Sequence, residues 1–246
     1  MLLVFNWLND KMSTYQELKK IVWKCNIELP KHGVVIFTFG NVSAIDRDKG
    51  VFAIKPSGVH YDDLKPEDIV VVDLENKVVE GKLRPSSDTK THSVLYKNFP
   101  TIGGICHTHS PYAVAWAQAM KPIPIFGTTH ADHLASDIPC TGVMSDDMIK
   151  GDYEAETGNQ IIQTFRNLSY EEIEMVLVAC HGPFTWGKTP AKAVYNSVIL
   201  EDLAKMALRT LQINPSTPRL KQSLVDKHYQ RKHGKDSYYG QEQHKS

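Results

Sequence analysis

Short apolar, β-branched runs alternate with amphipathic helical stretches along this chain, and several of the runs crowd into its first third. This pattern limits the fold more than any other feature. Residues 34–39, 51–54 and 69–73 each read as a strand. Gly40-Asn41 closes the first, and Pro56-Ser57-Gly58 makes a turn between the other two. Before them, Leu18, Ile21, Val22, Cys25 and Leu29 recur at helical spacing, which predicts a helix over 14–28 ended by Pro30. Thr14 and Glu17 fit a capping box at its start. Further on, 89–98 reads as a helix, 102–109 as a strand, Ser110-Pro111 as the opening of a helix to about Gln118, 175–179 as a strand and 191–211 as a long helix. Strands packed closely before a helix-rich remainder suit a mixed α/β sheet covered by helices better than strict βαβ repetition.

The sequence has no internal repeat, low-complexity stretch or Pro/Gly/Ser linker, so one domain is expected. The opening MLLVFNWLND is apolar but short, with no basic residue ahead of it and no small-residue cleavage site, which makes a poor signal peptide. With Met12 and the capping box just after it, residues 1–11 read as an upstream start or loose arm, and 12–246 as the folded domain. Lys+Arg and Asp+Glu both number 28, so no net charge draws the chain to nucleic acid or a membrane surface. No stretch approaches the ~20 apolar residues of a membrane span. Cys25, Cys106, Cys140 and Cys180 are far apart and make no C-x-x-C, which favours a reducing, cytoplasmic setting.

Chemistry concentrates at His107-Thr108-His109. Residues two apart on a strand face the same way, so both imidazoles can reach one ion. His181 also follows an apolar run and precedes Gly182-Pro183. Three histidines fill three of zinc's four tetrahedral positions and leave one open, the catalytic pattern. Three turns rich in glycine and hydroxyl residues can offer backbone N–H groups to an anion: Gly40-Asn41-Val42-Ser43, Lys55-Pro56-Ser57-Gly58 and Pro85-Ser86-Ser87-Asp88. Lys55 adds charge. No P-loop or G-x-G-x-x-G occurs. Asp132, in Thr128-Thr129-His130-Ala131-Asp132, reads as a helix cap, a solvated carboxylate or a proton carrier. The tail from Ser223, rich in Lys, His and Tyr, reads by composition as a solvated basic tail.

Taken together and in this order, these signals resemble the L-ribulose-5-phosphate 4-epimerases of the class II aldolase family, from about Tyr15 to Gln241. The strings that carry the resemblance are GNVSAIDRDKGVFAIKPSGV, VVEGKLRPSSDTKTH, IGGICHTHSPYAVAWAQA, GTTHAD, HGPFTWGK and KHYQRKHGKDSYYGQ. The resemblance implies a single α/β domain with a central, largely antiparallel sheet flanked by helices. It implies a cyclic homotetramer with active sites between neighbouring subunits. His107, His109 and His181 would hold one catalytic Zn²⁺ per subunit, with Asp88 at or beside it. Asn41, Ser57, Gly58, Ser86 and Ser87 would receive the substrate phosphate, Gly40 and Lys55 shaping that pocket. Asp132 and Tyr239 would be the acid/base pair, Tyr239 reaching in from an adjacent subunit. Thr128, Glu154 and His228 match positions near that interface.

The implied reaction interconverts L-ribulose 5-phosphate and D-xylulose 5-phosphate. C4 is not next to the carbonyl, so enolisation alone cannot invert it. Cleaving C3–C4, turning the anchored aldehyde and re-forming the bond can, given a Lewis acid for the enolate and two acid/base groups on opposite sides of the aldehyde. Related aldolases carry a glutamate where this chain has Asp88. The shorter side chain is better placed to stay on the metal and favour recombination over release. Three other readings compete: a class II sugar-phosphate aldolase, a three-histidine zinc hydrolase or hydratase, and a non-enzymatic adducin-like interaction module.

Overall fold

The computed structural model describes residues 14–234 of the 246-residue chain. The expected domain start at residue 12, the segment 1–11 and Tyr239 lie outside the described residues. Helix α1 (Gln16–Lys31) comes first, then strands β1 (Asn41–Asp46), β2 (Val51–Ile54), β3 (Val70–Asp73) and β4 (Val78–Glu80). Helix α2 (Thr89–Asn98), strand β5 (Gly104–His107) and helix α3 (Pro111–Gln118) follow, with short helices α4 (Thr128–Ala131) and α5 (Asp146–Lys150) and the longer α6 (Tyr153–Thr164). Strands β6 (Met175–Val178) and β7 (Gly182–Gly187) lead to α7 (Pro190–Ile213) and α8 (Gln222–His233).

The strands form one seven-stranded sheet in the order β4-β3-β2-β1-β5-β7-β6, with every strand pairing antiparallel. Both faces are covered, which is why the strands read as continuous apolar runs instead of alternating ones. Phe52, Ile54, Val70, Val72, Ile105, Val176, Val178, Phe184 and Trp186 share one core with Leu95 and Tyr96 of α2 and Ile161 of α6. Their neighbours one residue along pack oppositely: Val42 and Cys106 meet Cys25 and Leu29 of α1 and Ala193 of α7, and Leu177 meets Leu200 and Ala204 of α7. The result is a helix–sheet–helix sandwich, the α/β domain with an antiparallel sheet that the resemblance implied.

Several local expectations are corrected. Residues 34–39 make no strand. Phe37 (φ +54) and Gly40 (φ +77) are left-handed, which breaks an extended path, and Ile36, Phe37 and Phe39 are exposed. The Thr14–Glu17 capping box does not form, because α1 starts two residues further on with Tyr15 as its cap. Pro30 sits inside the last turn of α1 instead of ending it; there it removes only one backbone donor. The strand expected over 102–109 is confined to Gly104–His107. Cys180, just before His181, is exposed at φ +63 and is a turn residue between β6 and β7. The basic tail begins as a helix, α8, which buries Val225 against Ile125, Ala131 and Leu220.

Candidate active site

His107 ends β5 on the central strands, opposite Asn41 of β1 on one side and Phe184 of β7 on the other. The Phe184 ring stacks on the His107 imidazole at 4.1 Å and 16°. His107 Nδ1 lies 2.9 Å from the Pro183 carbonyl oxygen, which can only accept. Nδ1 therefore carries the proton and Nε2 presents a lone pair. His109 stands just past the strand. The segment after it is fixed by Glu201 of α7, whose carboxylate accepts the Tyr112 and Ala113 N–H groups at 3.0 and 2.9 Å and so caps α3. His181 occupies the tight connection between β6 and β7, where its N–H donates to the Val178 carbonyl.

The three imidazoles converge. His109 Nε2 and His107 Nε2 are 3.0 Å apart, and one ligand atom from each of His107, His109 and His181 lies within 4.8 Å of the others. Two nitrogens bound to one zinc at about 2.0–2.1 Å and a tetrahedral angle stand roughly 3.3 Å apart. His181 Nδ1 is buried without a hydrogen-bond partner among the described residues. Burial pushes the His181 imidazole down to about 4 and also lowers His109, so both rings are neutral at pH 7 and have lone pairs to give. The donor set therefore fits a divalent metal ion bound by three imidazoles.

Asp88, the residue just before α2, stands beside this cluster instead of within it. Its Oδ2 accepts hydrogen bonds from Asn41 Nδ2 at 2.6 Å and Ser86 Oγ at 3.4 Å. Burial raises its carboxyl, but the fields of His107, His92 and His181 and the Asn41 hydrogen bond outweigh that and hold it below the usual carboxylate range.

Two turns close against each other next to the histidines. Pro56 and Pro85 form an antiparallel bridge, Ser86 N–H donates to the Lys55 carbonyl at 3.1 Å, and Ser57 N–H donates to the Arg84 carbonyl at 2.9 Å. This stitching gathers Lys55, Ser57, Gly58, Ser86 and Ser87, far apart in the chain, around one cavity of ≈ 350 Å³ with Gly40, Asn41, Asp88, His107, His109 and His181. Gly40 is required there: a Cβ would lie 2.8 Å from both the His107 carbonyl oxygen and Val35 Cγ1. Lys55 is 1% exposed. Its ammonium lies over the Tyr61 ring at 4.8 Å and donates to the Thr38 carbonyl at 3.3 Å. Among the described residues no carboxylate pairs with it, and burial pushes it down to about 8.

The cavity also takes in residues that no pattern in the sequence singles out as ligands: Thr38, Phe39 and Tyr153. Phe39 faces His109 with ring centroids at 5.8 Å, and Tyr153 faces His181 at 6.2 Å. Tyr153 and Glu154 arrive on the first turn of α6. That helix packs tightly on α2 because Gly158 leaves room for Val94; a Cβ there would meet it at 2.7 Å. The Asp152 cap before Tyr153, with Glu154 and Glu156 in the first turn, is the local sign of this helix.

Asp132 is not among the residues lining this cavity. It ends α4, where its carboxylate accepts from His228 Nδ1 at 2.9 Å and from Arg231 Nε and Nη2 at 3.1 and 2.8 Å, with Lys232 Nζ at 3.7 Å. Burial raises its carboxyl, but these bonds and the Lys232 charge outweigh that and hold it below its ordinary value. Among the described residues the carboxylate caps no backbone N–H and is not free in solvent; in the single chain it is ion-paired to α8. His228, matched only loosely from the sequence, is thereby brought against Asp132.

Comparison with known proteins bears on this arrangement. The family described as "Class II Aldolase and Adducin N-terminal domain" matches residues 20–208. Among solved structures, an L-fuculose 1-phosphate aldolase is 24% identical, covering 89% of this chain and 97% of its own, with a TM-score of 0.73. The l-fuculose-1-phosphate aldolase from Thermus thermophilus is 22% identical over 83% of this chain and 100% of its own, with a TM-score of 0.64. A sugar-phosphate aldolase from Thermotoga maritima is 17% identical over 85% and 100%, with a TM-score of 0.61. At these identities the likeness speaks to the fold.

Proposed function

The chain belongs to the class II aldolase and adducin N-terminal domain family, and on that footing we propose that it is a zinc-dependent L-ribulose-5-phosphate 4-epimerase. It would interconvert L-ribulose 5-phosphate and D-xylulose 5-phosphate by breaking and re-forming C3–C4. The observation that carries this reading is the union, in one cavity, of a three-histidine cluster with a cradle of serine hydroxyls and a buried lysine that no described carboxylate neutralises. A sugar phosphate needs both ends: an anion site for the phosphate and a site for the oxygens near the carbonyl.

Asn41, Ser57, Gly58, Ser86 and Ser87 receive the phosphate, with Gly40 and Lys55 shaping the pocket and Lys55 adding charge, and keep the cleaved aldehyde anchored while it turns. His107, His109 and His181 would hold a divalent ion, which when bound would supply Lewis-acid stabilisation of charge on the substrate oxygens. Asn41 holds Asp88 against the cluster. The shorter reach of aspartate keeps it from delivering a proton to the enediolate carbon, so recombination outpaces release. Asp132 and Tyr239 act as the acid/base pair. Since Asp132 does not line the cavity of its own chain, it serves the cavity of a neighbouring subunit, consistent with the homotetramer implied by the resemblance. In its ionised form Asp132 is suited to accept a proton, and Arg231 and His228 orient it.

The alternative is a sugar-phosphate aldolase that releases its products. A stopped assay with L-ribulose 5-phosphate, following D-xylulose 5-phosphate and free glycolaldehyde phosphate together with and without a chelator, separates the two. Chelator-sensitive xylulose 5-phosphate with little free aldehyde supports the epimerase. Aldehyde as the main product sinks it in favour of the aldolase, and neither product from zinc-loaded protein rejects both substrate assignments.

A further inference from the structure

His92 lies one turn into α2 after Asp88, whose carbonyl accepts the His92 N–H at 3.0 Å. Its ring is 0% exposed. Nδ1 lies 2.7 Å from Ser43 Oγ, and Ser43 Oγ lies 2.7 Å from the Tyr96 hydroxyl. Nε2 is buried and has no hydrogen-bond partner among the described residues.

The protons along this row can be placed by counting donors and acceptors. If Nδ1 donated to Ser43 and Ser43 to Tyr96, the phenolic proton would have no acceptor among the described residues, and Nε2 would be left with an unused lone pair. The opposite sense leaves less unsatisfied. Tyr96 donates to Ser43, Ser43 donates to His92 Nδ1, and the ring proton resides on Nε2. Burial keeps the imidazole neutral, pushing it down to about 3. Tyr96–Ser43–His92 is thus a fixed row that ends in one buried N–H donor without an acceptor.

The titratable groups that act on His92 are Asp88 and His107. Asp88 accepts its hydrogen bonds from Asn41 and Ser86 through Oδ2 alone among the described residues. We infer that His92 is a positioning residue: its Nε2–H engages the Asp88 carboxylate when the three-histidine cluster takes up a divalent cation, fixing Asp88 beside the ion. This rests on the metal-dependent reading above. A buried donor left open is costly unless an acceptor arrives in some state of the protein, and outer partners of this kind orient the groups around a metal.

The test uses zinc alone as the probe, titrated into wild-type, His92→Phe, His92→Gln, Ser43→Ala and His107→Ala proteins whose melting temperatures are recorded without metal. His92→Phe should bind zinc about 10- to 100-fold more weakly. His92→Gln, whose amide can place an N–H near the same point, should recover most of that loss. Nitrogen-15 NMR of wild-type protein should find the His92 proton on Nε2, with the Nδ1 resonance shifted in Ser43→Ala, where its hydroxyl donor is gone. Unaltered zinc affinity in His92→Phe overturns the inference, as does an Nδ1–H tautomer in the wild type, which needs no variant to fold. If the wild type binds zinc and only His107→Ala abolishes it, the metal reading stands and His92 is structural. If the wild type takes no zinc, the metal reading falls first and the inference with it.

Discussion

Replacing Asp132 with asparagine should release α8 without unfolding the domain. The helix buries only Val225, so its attachment relies on the Asp132 carboxylate, 15% exposed, and the His228, Arg231 and Lys232 side chains at 18%, 26% and 20%. Hydrogen bonds to charged groups contribute roughly 1.5–3 kcal/mol, and partial exposure lowers the share of Lys232. Asparagine keeps the shape and one acceptor but loses the charge, a cost of about 2 kcal/mol. Opening of α8 should therefore rise about 30-fold, read as faster amide hydrogen exchange over 222–233 with the sheet strands unchanged. The pH dependence has a definite sign. Asp132 is held below its ordinary value in the fold, so its stabilisation is complete above the unfolded value of ~3.9 and disappears as pH falls through the lower folded one. Wild-type α8 should keep its protection from pH 7 to 5 and lose it below about 4. Exchange in Asp132→Asn within about twofold of wild type would refute the reasoning, as would loosening of wild-type α8 between pH 7 and 5.

Gly40→Ala should cost about 2–4 kcal/mol in urea denaturation, combining left-handed strain with the contacts to His107 and Val35; a loss under about 1 kcal/mol would mean that the loop has room to shift. Gly158→Val should lower stability by about 1–3 kcal/mol through Val94 and prise the first turn of α6 from the site; an unchanged urea midpoint would contradict this. Lys55→Met should weaken inhibition by inorganic phosphate at least about tenfold. In the wild type, phosphate affinity should drop as pH rises through about 8, where Lys55 loses its charge. A flat profile from pH 7 to 9 would remove Lys55 from the cradle.

How far the site could be read from sequence depended on whether its geometry is local. H-x-H at the end of an apolar run announces two converging imidazoles, although His109 proves to stand beyond the strand. His181 was visible because Gly182-Pro183 marks a strand junction. The anion turns looked ordinary singly; what joins them is the Pro56–Pro85 bridge between segments about thirty residues apart, which no local pattern encodes. Tyr153 reaches His181 only through the packing of α6 on α2. Residues 34–39 misled because apolar content suggests a strand, whereas two left-handed residues make a loop that exposes Phe39 to the cavity. α8 was missed because one buried valine makes no apolar stripe, and its attachment is ionic. His92 reads as an ordinary helix residue until its burial and its unpartnered nitrogen are seen.

The central claim is that one cavity holds a metal ion at one end and a phosphate at the other. Anomalous diffraction at the zinc edge, from crystals grown with zinc and inorganic phosphate, tests it directly. The account predicts one zinc peak among the imidazoles of His107, His109 and His181, with phosphate on Ser57, Ser86 and Lys55 in the same cavity. Zinc bound away from these histidines, or phosphate bound outside the cavity they line, would contradict it.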